Sequence, residues 1–169
     1  MRAATPADSL CLGVLGTQVF LDTYATSGIR RPIAAEVVAA FSTSAVRALF
    51  DDPALRITVA ERDDHLIGFV QTALATGHDL VRSPSPVELR RIYVQEPFTR
   101  QGVGALLLRH AEEAADSEGA THLWLSAWVH NERALRFYAR HGYIDLGSTP
   151  VQIEGESYVN RVLAKRLGR

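Results

Sequence analysis

The spacing of apolar residues divides the chain into helical and extended stretches. Leu10, Val14, Leu15, Val19 and Phe20 return at roughly 3.6-residue intervals. That predicts an amphipathic helix over 9–24, begun at the Thr5-Pro6-Ala7-Asp8 cluster, with a short strand over 2–5 before it. After a break at Ser27-Gly28, a second helical stretch covers 32–50, with Ile33, Val37, Ala40, Phe41 and Val46 as its buried positions. Ser42-Thr43-Ser44 weakens its middle and allows two short helices, and Asp51-Asp52-Pro53 ends it. Residues 55–60 and 66–74 then read as a β-hairpin turning at Arg62-Asp63-Asp64. The polar stretch 77–86, with two prolines, is a surface loop.

The segment 88–113, ELRRIYVQEPFTRQGVGALLLRHAEE, organises the chain around it. A strand-like run over 88–94 meets a turn at Pro97, then a loop with Gly102 and Gly104. A helix begins near Val103, with Val103, Leu106, Leu107, His110 or Ala111, and Ala114 on one face and Gly119 as its stop. Strand, glycine loop and helix in that order leave unpaired backbone N–H groups at the positive end of a helix dipole, which suits phosphate. A strand over 121–128, a helix over 131–141 closed by Gly142, and strands over 143–146 and 157–163 joined by a turn at 153–156 complete the chain. The pattern is α+β with a mostly antiparallel sheet.

Length and composition narrow the class. One domain over 1–169 is expected, and 47% hydrophobic with 22% charged residues is ordinary for a soluble protein. A formal charge of -1 without a Lys/Arg block argues against nucleic acid. No apolar run reaches membrane-spanning length, and the N-terminus has no signal-peptide core, so a cytoplasmic protein without a membrane partner is expected. Cys11 is the only cysteine and is expected to be buried; it excludes an intrachain disulfide. The six histidines show no metal-ligand spacing, so no metal is expected.

Taken alone, the glycine loop is ambiguous: it lacks the GK[ST] ending of a nucleotide-hydrolase loop, and Leu107 stands where a dinucleotide fingerprint has its third glycine. NERALRFYARHGY, residues 131–143, is ambiguous too, because Asn131 suits an N-cap and Tyr138 suits packing. Together, and in this order and spacing, ELRRIYV, TRQGVG and NERALRFYARHGY resemble the GNAT superfamily of acetyl-CoA-dependent N-acetyltransferases. Thr99 stands where the family's loop usually opens with Gln or Arg. VFLDTYA at 19–25, WLSAWVHNERALRFY at 124–138 and the tail over 150–167 further resemble the bacterial polyamine (spermidine/spermine) acetyltransferase branch.

The resemblance implies a central sheet of about six to seven strands, flanked by helices on both faces. It also implies transfer of an acetyl group from acetyl-CoA to a primary amine of a small molecule, a polyamine among the choices, by direct attack in a ternary complex. Other readings are acetylation of an antibiotic amine or a peptide N-terminus, and a non-catalytic acyl-CoA-binding sensor. The oligomeric state stays open, a homodimer included.

Each step of that chemistry has a candidate. Thr99, Arg100, Gln101, Gly102, Val103, Gly104 and Ala105 form the pyrophosphate loop. The edge at Ile92, Tyr93 and Val94 suits the peptide-like pantetheine arm, with the Val94 N–H aimed at the thioester carbonyl, where one donor is worth roughly 3 kcal/mol. An alkylamine is protonated near pH 7, and freeing it costs about 4.6 kcal/mol, which calls for a base; Glu88 is placed for it. Tyr138 can protonate the departing thiolate, uphill by only about 2 kcal/mol, and Asn131 would orient the cofactor. Tyr24 and Trp128 are the substrate-binding candidates, with core packing as their alternative.

Overall fold

The computed structural model describes residues 1–153 and 155–168. Its strands are β1 (Arg2–Ala3), β2 (Leu55–Arg62), β3 (His65–Ala73), β4 (Pro86–Val94), β5 (His122–Trp128), β6 (Ile144–Ile153) and β7 (Glu156–Arg166). The helices are α1 (Ser9–Tyr24), α2 (Arg31–Phe41), α3 (Thr43–Ala48), α4 (Val103–Ser117) and α5 (Glu132–Arg140). Hydrogen bonds order the strands β1-β2-β3-β4-β5-β7-β6. β4 and β5 run parallel, while β1–β2, β5–β7 and β6–β7 are antiparallel. This is the expected α+β mixed sheet. Among the described residues no single helix is long and apolar enough to cross a membrane, although α2 and the stretch Thr43–Asp51, bent by 45°, pass that test together.

By its contacts the chain forms two compact units, Met1–Thr72 with Arg91–Ala111 and Ala73–Arg90 with Glu112–Arg169. In the first, alternate residues of β3 and β4 face opposite ways, as the pleat requires. Phe69 packs with Leu12, Leu15, Val46 and Val59, so α1 and α3 cover one face. Gly68, its neighbour, lies under the other: an added Cβ would meet the Tyr93 carbonyl oxygen at 2.7 Å and Leu107 of α4 at 3.3 Å. Arg2 clamps the chain start, donating from Nη1 and Nη2 to Asp8 at 2.8 Å each. Asp8 also accepts from the Thr5 N–H at 2.7 Å.

The buried face of α1 differs from the expected one. Leu12, Leu15 and Phe20 are buried, while Leu10 and Val14 are 61% and 63% exposed. The reason is glycine. A Cβ on Gly13 would lie 2.4 Å from the Phe41 carbonyl oxygen, and one on Gly16 would lie 2.4 Å from the Phe41 ring. Residues 12–13, 15–16 and 19–20 therefore make the packed stripe, and the closest contact involves residues that carry no hydropathy. Cys11 falls outside the stripe and is exposed, contrary to the expectation of burial. On α4 the buried stripe is Val103, Leu107, Leu108, Ala111 and Ala115, and Leu106 is 45% exposed.

In the second unit Val81, Trp124, Val162 and Ala164 form a core cluster, and the Trp124 indole N–H donates to the Thr76 carbonyl at 2.7 Å. β6 and β7 are longer than expected. β6 ends the strand order, where Pro150 removes no needed ladder donor, and Pro150 pairs with Val159. A register shift between Asp145 and Gly147, with Gly147 at φ 136°, absorbs the irregularity. Glu154, in the expected turn, lies outside the described residues.

Gly13→Ala is expected to destabilise the fold by about 1–3 kcal/mol in urea denaturation, while the exposed Cys11→Ala stays within about 0.5 kcal/mol. Hydrogen bonds from Arg2 hold the Asp8 carboxyl well below the usual carboxylate range, outweighing its desolvation. Its contribution is therefore fully present above the unfolded value of about 3.9 and drains away as pH falls below it. Asp8→Asn should lower stability at pH 7 by about 1–3 kcal/mol and flatten the acid limb of the stability curve; an unchanged limb would mean the clamp is idle.

Candidate functional site

β4 carries the first half of the site. Its parallel ladder to β5 pairs Pro86 with His122, Val87 with Leu123 and Glu88 with Trp124, and the ladder stops there. Past Glu88, the C-terminal half of β4, with Ile92, Tyr93 and Val94, has no β5 ladder partner among the described residues. A strand with an unpaired edge is what an extended, amide-bearing arm needs. Glu88 sits at the last paired position, half-buried, and accepts from Arg90 Nε at 3.0 Å.

The turn after β4 is braced by its own side chains. The Thr99 hydroxyl donates to the Glu96 carbonyl at 2.9 Å, and Gln101 Nε2 donates to the Pro97 carbonyl at 2.7 Å. Arg62, at the end of β2, donates to Gln101 Oε1 at 3.3 Å from two nitrogens and stacks 5.3 Å over the Phe98 ring. Thr99 and Gln101 thus spend their side chains on the loop and leave the backbone to face a ligand. Arg100 and Gly102 both adopt left-handed backbone, at φ 60° and 83°. A Cβ on Gly102 would meet nothing within 4 Å, so glycine serves conformation there and not space. α4 begins at Val103, and the N–H groups of Val103, Gly104 and Ala105 belong to its first turn, which has no acceptors within the helix. Those donors, the helix dipole and the nearby Arg62 fit a pyrophosphate.

The second unit holds Asn131, Tyr138, Glu88 and Trp128. Asn131 caps α5, its Oδ1 accepting from the Ala134 N–H at 3.1 Å, which satisfies the capping alternative and leaves the amide NH2 for other partners. Tyr138 is buried. The helix end fixes it: Gly142, at φ 85°, sends its N–H to the Ala139 carbonyl, and the Tyr143 N–H reaches the Tyr138 carbonyl at 3.1 Å. This Schellman closure brings the Tyr143 ring edge-on to Tyr138, with centroids 5.5 Å apart. Burial first, and then the neighbouring Glu112 carboxylate, push the Tyr143 phenol up, so it stays protonated. Glu112 in turn accepts from Lys165 at 2.7 Å. Trp128 is half-buried, its ring edge-on to His130 at 5.0 Å.

Tyr24 and Tyr93 belong to the first unit and share an aromatic cluster with Phe20 and Phe41. Burial raises both phenols, and Arg91 opposes it in each. Tyr93 therefore turns its ring to α1 and α2, and only its backbone is left for the strand edge. Arg91, Gln71 and Arg62 are polar residues of these surroundings that sequence reasoning passed over. Arg91 lies in the ELRRIYV motif, but its partner is on another strand. Among the described residues no group of three or more His, Cys, Asp or Glu could hold a metal ion.

Fold and motifs together define an N-acetyltransferase. The chain belongs to the acetyltransferase (GNAT) family, whose model matches residues 26–143. An uncharacterized N-acetyltransferase of Mycobacterium tuberculosis is 26% identical over 135 residues, 80% of this chain and 82% of the relative. One from Lactobacillus delbrueckii subsp. lactis is 32% identical over 80 residues, which spans 47% of this chain and only 46% of that protein. Among solved structures, the PaiA N-acetyltransferase of Thermoplasma acidophilum, in complex with coenzyme A, superposes with a TM-score of 0.73 at 19% identity over 98% of this chain and 96% of that one. YncA of Salmonella typhimurium, solved with acetyl-CoA, gives 0.68 at 19% over 99% and 93%.

Proposed function

We propose that the protein transfers the acetyl group of acetyl-CoA to a primary amine of a small molecule, by direct attack without an acetyl-enzyme. The observation that carries this reading is β4, whose pairing to β5 ends at a carboxylate and whose unpaired half runs into the left-handed glycine turn at the start of α4. The family model's match runs through both compact units, which supports reading 1–169 as one acetyltransferase domain.

Acetyl-CoA, when bound, supplies an activated thioester and a thiolate leaving group. The backbone of residues 100–105 holds its diphosphate, with Arg62 adding charge beside the turn. The strand edge at Ile92–Val94 pairs with the pantetheine amides, and the Val94 N–H meets the oxygen on which negative charge grows. Glu88 takes the proton from the ammonium, directly or through water, and Tyr138 returns one to the departing sulfur. Asn131, with its Oδ1 committed to the cap, offers its NH2 to the cofactor. Cys11 has no part in the scheme. For the acceptor, the segments 19–25, 124–138 and 150–167 favour a polyamine, whereas the side chains around Arg91 favour a different amine.

Tyr138→Phe is expected to lower kcat by about 10²-fold or more while acetyl-CoA affinity, measured by calorimetry, holds within about threefold. A fully active Phe variant removes the general acid; tight acetyl-CoA binding without turnover of any amine in a broad panel makes the protein a sensor. Glu88→Gln should move the rising limb of the kcat/KM profile to higher pH, because more of the amine must then deprotonate unaided. An unmoved profile assigns the base elsewhere.

A further inference from the structure

Within the first unit, Arg91 and Gln71 form a donor pair that the acetyl-transfer scheme leaves unused. Gln71 is 1% exposed and accepts from Arg91 Nη1 at 2.7 Å through Oε1. A guanidinium only donates, so this contact fixes the amide: the oxygen is the end that accepts from Arg91, and the NH2 is the end left over. That Nε2 is buried and has no hydrogen-bond partner among the described residues. A buried amide donor without an acceptor is costly, and native proteins rarely leave one.

Arg91 is held equally firmly. Its guanidinium stacks 5.2 Å over the Phe41 ring, and Phe41 is wedged against Gly16 of α1. Among the described residues Arg91 forms no ion pair; the nearby carboxylate that acts on Tyr93, Glu36, is not bonded to it. Arg91 also interacts through a side-chain hydrogen bond with the Tyr93 phenol, and its guanidinium carries N–H groups beyond those given to Gln71 and Tyr93. An aromatic-backed fork beside a second, unsatisfied N–H donor is the arrangement that recognises a planar oxyanion. The surrounding groups agree in character, since Tyr24 and Tyr93 are phenols that burial keeps protonated. A polycation would find a fixed positive charge here.

We infer that Arg91 and Gln71 bind a carboxylate carried by the acceptor, so that the amine acetylated belongs to an amino acid or similar zwitterion and not to a polyamine. This rests on the acetyl-transfer reading. It makes Arg91 a specificity residue: the carboxylate anchors the acceptor, and the amine is presented by the same molecule.

The test is thiol release from acetyl-CoA by the full chain with matched acceptors: lysine against 1,5-diaminopentane, phenylalanine against phenethylamine, methionine against 3-(methylthio)propylamine, and spermidine. The carboxylate-bearing member should be preferred by about tenfold or more in kcat/KM in at least one pair. Arg91→Gln should raise KM for that member by a similar factor and bring the pair to parity, with the KM for acetyl-CoA unchanged. Arg91→Lys, which keeps the charge and loses the fork, should fall between and guards against misfolding of the first variant. Equal or better use of the decarboxylated amines or spermidine overturns the inference while leaving acetyl transfer intact. Equal losses for both members of a pair in Arg91→Gln would also overturn it, because Arg91 would then be structural. If no amine releases thiol, acetyl transfer itself fails, and calorimetry of the same pairs decides the carboxylate site. Binding of the acid alone, abolished in Arg91→Gln, upholds it; equal binding or none overturns it.

Discussion

The arrangement of the first unit depends on one close approach, α1 against the end of α2 at Phe41. The two small positions on α1, Gly13 and Gly16, admit the Phe41 backbone and ring where any side chain would collide. Phe41 then serves as a fixed platform: Phe20 lies 5.8 Å from it, Tyr93 6.1 Å, and the Arg91 guanidinium 5.2 Å. A long cationic side chain on a strand would otherwise lose rotamer freedom for little return. Stacked on a ring and bonded to a buried amide, Arg91 is held before any ligand arrives, and the entropy of ordering it is met by folding.

The second unit reaches the same end through helix termination. Two glycines, Gly119 after α4 and Gly142 after α5, adopt left-handed backbone and close each helix with paired N–H to carbonyl bonds. In each closure the residue after the glycine turns back on the helix: Ala120 on Ala115, and Tyr143 on Tyr138. Only the second carries a residue of the proposed scheme. The edge-on contact limits the tilt of the Tyr138 ring, so the phenol proposed as general acid is positioned by a helix and its closing turn and not by a loop.

Much of this was legible in the sequence, for local reasons. Helix stops at Gly119 and Gly142, the hairpin turn and the split of the second helical stretch at Ser42 follow from backbone preferences that act within a few residues. The buried face of α1 was not legible, because a hydropathy period gives no weight to glycine, and here glycine marks the contact. The same period overvalued Leu10 and Leu106. The length of β6 was hidden by Gly147 and Pro150, residues that argue against a strand unless it lies at a sheet edge. At the candidate site, the glycine turn and Tyr138 announced themselves as motifs, while Gln71 and Arg91 did not. They stand 20 positions apart on two strands, and nothing in either neighbourhood tells that one carries the other.

Charge and burial also constrain how activity can depend on pH. Tyr24, Tyr93 and Tyr143 are all pushed above the ordinary phenol range, burial being the leading cause in each. None of them changes charge between about pH 5 and 9, so Arg91 faces the same neutral phenols throughout, and recognition of an oxyanion there is not a titrating event. The acceptor ammonium, by contrast, begins to lose its proton toward the top of that range. An amine of pKa about 10 is mostly protonated across the range, so its free fraction rises about tenfold per pH unit. Comparing acceptors of different basicity therefore separates proton removal from binding.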